Sequence, residues 1–255
     1  TEALIRGCSV ARGRYIARQD AADLSRPGRL ALQRRALDAD PLLAFVSCWT
    51  EYRGPGMEYL YTTRDSGKAR EPADVVVAVD GRPTLADGPT HHGSVMFRKE
   101  LYERVGGYRR EFFLAQDWDL WFRLAELGRY QALPEDLYVA LVLPASRSSS
   151  FRSVQHELGR LASRAFELRR EGCPEEEVLK RASALRPSGS AHGARRMAGA
   201  NYFIGEALRR NGDRRCLSYL GRAVRLHPLH AAGWARLLQA GATSTLGRWR
   251  TDGEG

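Results

Sequence analysis

Residues 92–121, HGSVMFRKELYERVGGYRREFFLAQDWDLW, decide the fold class, because a strand, a helix, a glycine turn and a new helix follow one another there. Gly93 to Arg98 is a short, mostly apolar run containing Val95, Met96 and Phe97, which suits a buried strand. Lys99 to Val105 has helical spacing and stops at Gly106-Gly107. Asp117 then stands where a second helix begins, with Leu120, Trp121, Leu124 and Leu127 at helical spacing behind it. A carboxylate in that position caps free backbone amides or faces a cleft. On residue types alone the plainer reading leads: Asp117 is an N-cap, Asp119 a first-turn acid favoured by the helix dipole, and Trp118 and Trp121 are core.

A second acidic site upstream shifts that balance. Gly13 to Gln19 reads as a strand that delivers Asp20 and Asp23 at its C-terminal end, where ligand sites of open α/β sheets lie. Ser25 and Pro27 start an amphipathic helix through Leu30, Leu32 and Leu37, and Leu42 to Val46 supplies the next strand, giving a β-α-β unit.

Three segments then stand in order: YIARQDAADLSRPGRL at 15–30, HGSVMFRKELYERVGGYR at 92–109 and FFLAQDWDLWFRLAELG at 112–128. In these segments, which span roughly the first three-fifths of the chain, the sequence resembles glycosyltransferase family 2. The resemblance implies an α/β domain over 1–150, a partial GT-A, Rossmann-like mixed sheet with flanking helices, followed by a small all-α region over 151–255. It also implies a nucleotide-sugar donor and an acceptor hydroxyl on a glycan, lipid-linked or protein substrate, with inversion at the anomeric carbon. Asp20, Asp23 and Arg18 would meet the donor diphosphate, and the two aspartates would hold a divalent cation, Mg or Mn. Asp117 would be the base that takes the acceptor proton, and His92, Trp118 and Asp119 would contact acceptor or sugar.

The sequence departs from the family pattern in places. Ala22 stands where the second aspartate of the DxD motif is expected, which leaves Asp20 and Asp23 out of register by one residue. Leu141 and Leu143 occupy places where relatives tend to carry an arginine and a histidine, and Gln116 replaces a glutamate. These changes motivate the alternative of a non-catalytic homologue acting as a binding or scaffold module in envelope glycan assembly. The chain opens on Thr1 and enters the resemblance at the helix before the DxD strand, so the expectation is a domain lacking its first β-α-β segment.

Composition sets the broad class. The 255 residues are 43% hydrophobic, room for one medium domain and a smaller appendage, and the chain reads as cytoplasmic, soluble or peripheral at the inner membrane face. The net charge of +10 is nearly all arginine, with Lys68, Lys99 and Lys180 the only lysines, and it is spread rather than clustered. That distribution points away from nucleic-acid binding. Cys8, Cys48, Cys173 and Cys216 form no CxxC pair, as expected of free thiols in a reducing compartment.

Between the acidic sites, 53–56 and 62–72 read as loops, and Asp74 to Val79 as a strand closed by a turn at Asp80 to Pro83. His91 and His92 are adjacent, poor spacing for joint metal ligation; a structural or acceptor-contacting role leads for His91. After Ser150 the chain turns helical, over 151–170 and 174–185, then a linker at 187–193. Residues 202–228, YFIGEALRRNGDRRCLSYLGRAVRLHP, resemble one tetratricopeptide repeat, with Tyr202, Leu208, Gly212, Asp213, Ala223, Leu226 and Pro228 in place, and imply either a protein-docking module or an ordinary helical extension. The tail from Thr243 onward reads as frayed.

Overall fold

The computed structural model describes residues 1–64, 76–79, 82–85, 89, 91–144, 151–186 and 193–245. The chain divides into two compact units. One comprises Thr1–Thr50, Thr62–Ala140 and Arg152–Pro187; the other comprises Glu51–Tyr61, Leu141–Phe151 and Ser188–Gly255. Among the described residues no helix is long and apolar enough to cross a membrane, and none of the four cysteines is in a disulfide.

In chain order the elements begin with α1 (Glu2–Val10), β1 (Tyr15–Ala17), β2 (Leu24–Ser25), α2 (Arg29–Ala39), β3 (Leu43–Arg53) and β4 (Tyr59–Thr63). A two-stranded ribbon follows, β5 (Val76–Val79) antiparallel to β6 (Arg82–Leu85) with Val79 opposite Arg82. Then come β7 (Met96–Arg98), α3 (Lys99–Arg104), α4 (Gln116–Ala125), β8 (Arg129–Leu141), α5 (Arg152–Arg170) and α6 (Glu176–Ala184). The main sheet runs β1-β7-β3-β8-β2, with β4 beside β3.

Because β7 is antiparallel to both β1 and β3, those two strands are parallel with β7 between them. The β-α-β unit read over 13–46 therefore exists with its strands one place apart. Two boundaries differ from the sequence reading. Gly93 and Ser94 belong to a 3-10 turn, His92–Ser94, and only Met96–Arg98 is strand. Leu24 and Ser25 pair with Val139 and Tyr138, so α2 starts later, at Arg29 behind Gly28 with φ 85°. A left-handed turn of that kind suits glycine, which has no Cβ to clash.

α4 explains the position of the core. Its Leu120, Trp121, Phe122 and Leu124 are buried: Trp121 stacks on Phe45 at 5.4 Å and Phe122 on Phe166 at 5.1 Å. Burying one such large side chain is worth about 1.5–3 kcal/mol. Leu158, Leu161, Ala162 and Phe166 of α5, with Val178 and Ala182 of α6, share this cluster. The change of composition at residue 150 thus marks a change of secondary structure, whereas α5 and α6 complete the core of the first unit.

The second unit contains α7 (Ala194–Arg210), α8 (Cys216–Leu226) and α9 (Ala231–Thr245) around Leu60, Ile204, Leu208, Cys216, Tyr219, Leu220 and Ala240. A Cβ on Gly205 would lie 2.8 Å from Leu220 Cγ, so this glycine lets α7 and α8 approach closely. In the same unit the 54–58 turn wraps the buried Glu58 carboxylate, which accepts from Gly56 N and Tyr219 Oη, each at 2.8 Å. Helix α9 extends through Thr245, beyond the Thr243 boundary expected of a frayed tail. The expected loop at 65–72, the start of the 74–79 strand, the Asp80-Gly81 turn and the 187–192 part of the linker lie outside the described residues.

Candidate active site

The site is built where β1 ends. β1 and β7 pair from Tyr15 and Arg98 to Ala17 and Met96, and Arg18 N donates to Val95 O at 2.8 Å. Arg29, only 2% exposed, fastens this junction: one guanidinium nitrogen donates to Gly93 O at 2.7 Å and the other to Arg18 O at 2.9 Å. Its guanidinium also lies over the Tyr138 ring, 5.0 Å from the centroid. A buried arginine held by carbonyls and an aromatic face keeps its charge satisfied and fixes the backbone around it.

Asp20 and Asp23 leave β1 on a tight turn, with Asp23 N donating to Asp20 O at 3.3 Å and Ala22 at φ 72°. Left-handed backbone at a residue with a Cβ costs about 1–2 kcal/mol, so the surroundings must enforce it. They do so through Gln19 Nε2, which donates to Asp23 O at 2.8 Å, and through Tyr138. The Tyr138 hydroxyl donates to Asp23 Oδ2 at 2.9 Å and accepts from Asp20 N at 3.0 Å. The turn brings the fourth residue back beside the first, and the one-residue slip seen in sequence is undone in space.

His91 joins the two carboxylates. Its Nδ1 lies 3.8 Å from Asp20 Oδ2 and 3.7 Å from Asp23 Oδ2, and ligand atoms of the three residues all fall within 4.8 Å of one another. Its ring stacks on Tyr138 at 5.4 Å, and Nδ1 accepts from Gly93 N at 3.1 Å. Burial pushes the imidazole below its ordinary range, against the pull of Asp23 and Asp20, so it is neutral at pH 7. Two carboxylates and a neutral imidazole at these separations are a chemically suitable donor set for a divalent cation. Sequence spacing gave no sign of this, since the histidine comes from a distant loop.

Gly93 fits the same cradle. A Cβ there would lie 1.9 Å from the Tyr138 hydroxyl, so only glycine passes under that ring. Arg18 forms an ion pair with Asp20.

Asp117 lies in the first turn of α4, and its Oδ1 accepts from Trp118 N at 3.0 Å. Burial pushes its carboxyl from the ordinary 3.8 up to about 6; the Asp20 charge adds to the rise and Arg18 opposes it. Asp117 is therefore in the field of the first acidic site. Trp118 is 39% exposed, and Trp121, at 3%, is core. His92 Nε2 is 2.9 Å from the Tyr108 hydroxyl and its ring meets Trp121 edge-on at 5.7 Å. Burial holds His92 well below its ordinary range, so it is a neutral, packed residue.

Asp119 does not belong to this group. It is 1% exposed and its carboxylate is held by Arg123, with Arg109 at 3.7 Å. Arg109 in turn pairs with Glu175 at 2.7 Å, and Glu175 with Arg169 at 2.6 Å. The expected acceptor contact is instead an internal brace between α4 and the α5–α6 region, because the helical turn after Asp117 points Asp119 inward.

No family model matches the chain. It is 20% identical to the mannosyltransferase PcManGT from Pyrobaculum calidifontis, solved in complex with GDP-Man and Mn2+, over 97% of this chain and 66% of that one, with a TM-score of 0.40. Over 134 residues it is 35% identical to a protein named putative glycosyltransferase EpsE from Bacillus subtilis strain 168. That match spans 51% of this chain and 44% of the relative, so the chain spans less than half the length of the relative it matches.

Proposed function

We propose that the protein transfers a sugar from a nucleotide-diphosphate donor to a hydroxyl of a glycan, lipid-linked or protein acceptor, with inversion. The observation that carries this reading is Asp117, whose carboxyl burial pushes up to about 6, with the Asp20 charge adding to the rise and Arg18 opposing it. A carboxylate near the working pH is suited to take a proton from an attacking hydroxyl. Two further carboxylates and an arginine suit the diphosphate end of a donor.

As the acceptor oxygen attacks, its proton passes to Asp117 and the glycosidic bond breaks on the opposite face, leaving a nucleoside diphosphate. Asp20 and Asp23 would hold a divalent cation, which would supply Lewis-acid stabilisation of the departing charge. Arg18 adds a positive charge at the same end. The exposed Trp118 face offers packing for the apolar side of a pyranose beside the base, and His92 with Tyr108 forms a fixed wall. With a lipid-linked acceptor the protein would work at the cytoplasmic face of a membrane.

The tetratricopeptide-like reading of 202–228 is supported by the α7–α8 pair, its turn at Gly212 with φ 72° and its close approach at Gly205. A protein partner would dock on that unit.

The test is release of nucleoside diphosphate from a panel of UDP- and GDP-sugars, comparing the protein with Asp117→Asn. The expected result is turnover that falls by roughly 10²–10⁴-fold in the variant while nucleotide binding persists. Equal turnover in both would remove Asp117 as the base, and binding without turnover of any donor would favour the non-catalytic module.

A further inference from the structure

We propose that His91 completes a three-ligand cation site with Asp20 and Asp23, and that its ring nitrogen makes the site select Mn2+ and later transition metals over Mg2+. The inference rests on the reading of this cluster as the diphosphate site. Metal–ligand distances of about 2.0–2.2 Å allow two ligand atoms to be no more than about 4.4 Å apart. His91 Nδ1 meets that limit toward both Asp20 Oδ2, at 3.8 Å, and Asp23 Oδ2, at 3.7 Å.

Three features make this a built site rather than a chance grouping. The Ala22 turn carries Asp23 to the place beside Asp20. Tyr138 fixes Asp23 through its hydroxyl and His91 through ring stacking, so one side chain orients two of the three donors. Gly93 leaves room for Tyr138 to do so. A cation bound here would use the Nδ1 lone pair that accepts from Gly93 N. With Asp23 returned beside Asp20, His91 adds a nitrogen as the third donor. Mg2+ favours an all-oxygen octahedron, whereas imidazole suits the transition metals.

The protein without nucleotide is titrated with Mn2+ and separately with Mg2+, alongside His91→Asn, which retains an acceptor for Gly93 N. The bound Mn2+ is also read by electron spin-echo modulation, which detects a directly coordinated imidazole nitrogen without any variant. The expected results are a nitrogen signature in the parent, and a loss of at least about tenfold in Mn2+ affinity, the scale on which even outer-shell changes act, in His91→Asn with Mg2+ affinity unchanged. Mn2+ binding with no nitrogen signature, equal Mn2+ affinity in the variant, or no Mn2+ binding at all overturns the proposal. The readout is independent of turnover: a nitrogen-ligated Mn2+ in a protein that processes no sugar nucleotide would sink the transferase reading and leave the cation site standing.

Discussion

Asp117→Asn should make the protein more stable and less active, and the gain should depend on pH. Raising a carboxyl from 3.8 to about 6 corresponds to about 3 kcal/mol of cost to the folded state when the group is ionised. At pH 8 the carboxyl is ionised in both folded and unfolded states, so the folded state bears the full cost. As pH falls through about 6 the folded state takes up the proton first, the unfolded state following near 4, so the cost disappears over that window. Asparagine has no charge to desolvate, and its Oδ1 can keep the bond from Trp118 N. Its own buried N–H groups offset part of the gain, leaving about 1–3 kcal/mol at pH 8. For a chain of this length that is a rise in melting temperature of roughly 2–12 °C. Thermal melts of both proteins at pH 8 and pH 4, followed by tryptophan fluorescence, give the comparison. A variant less stable than the parent at pH 8, or a difference that does not shrink toward pH 4, refutes the argument that Asp117 is a desolvated carboxylate. The same ionisation predicts that kcat/KM of the parent rises with pH through about 6.

Three other perturbations follow from the geometry. Asp119→Asn breaks a buried ion pair and strands Arg123, and should cost about 3–5 kcal/mol in chemical denaturation; a loss of activity with stability intact would restore Asp119 to the site. Gly93→Ala drives a methyl into Tyr138 and should destabilise by about 1–3 kcal/mol and weaken nucleotide binding, measured by melting and titration; an unchanged protein would mean that the Tyr138 cradle is loose. Trp118→Ala should change stability by no more than about 0.5 kcal/mol while raising KM for a saccharide acceptor, and an unchanged KM would take the indole out of the acceptor site.

The sequence made the outline readable because its signals were local. The period of α4, the stop at Gly106-Gly107 and the acidic end of β1 all depend on neighbours within a few residues, and all are present in the structure. What escaped depended on distance. The insertion of β7 between β1 and β3 is a pairing between remote segments, and no pattern within either one specifies it. Ala22 read as the loss of a ligand, because a motif counts positions along the chain while a turn at φ 72° sets where Asp23 ends up. His91 lacks any ligand spacing and reads as structural or acceptor-contacting, yet Tyr138, from β8, stacks it beside the aspartates. Asp119 was expected at acceptor or sugar beside the base Asp117; helix geometry places Asp117 in the first turn, accepting from Trp118 N, and Asp119 on Arg123. Trp121 was read correctly as core because its spacing with Leu120 and Leu124 put it on the buried face.

The central claim, a cation-assisted nucleotide-sugar site at the end of β1, is tested most directly by isothermal titration of UDP and GDP into the protein with and without Mn2+. The account predicts that at least one nucleotide binds and that Mn2+ tightens it. A well-folded protein that binds neither nucleotide under either condition would contradict it.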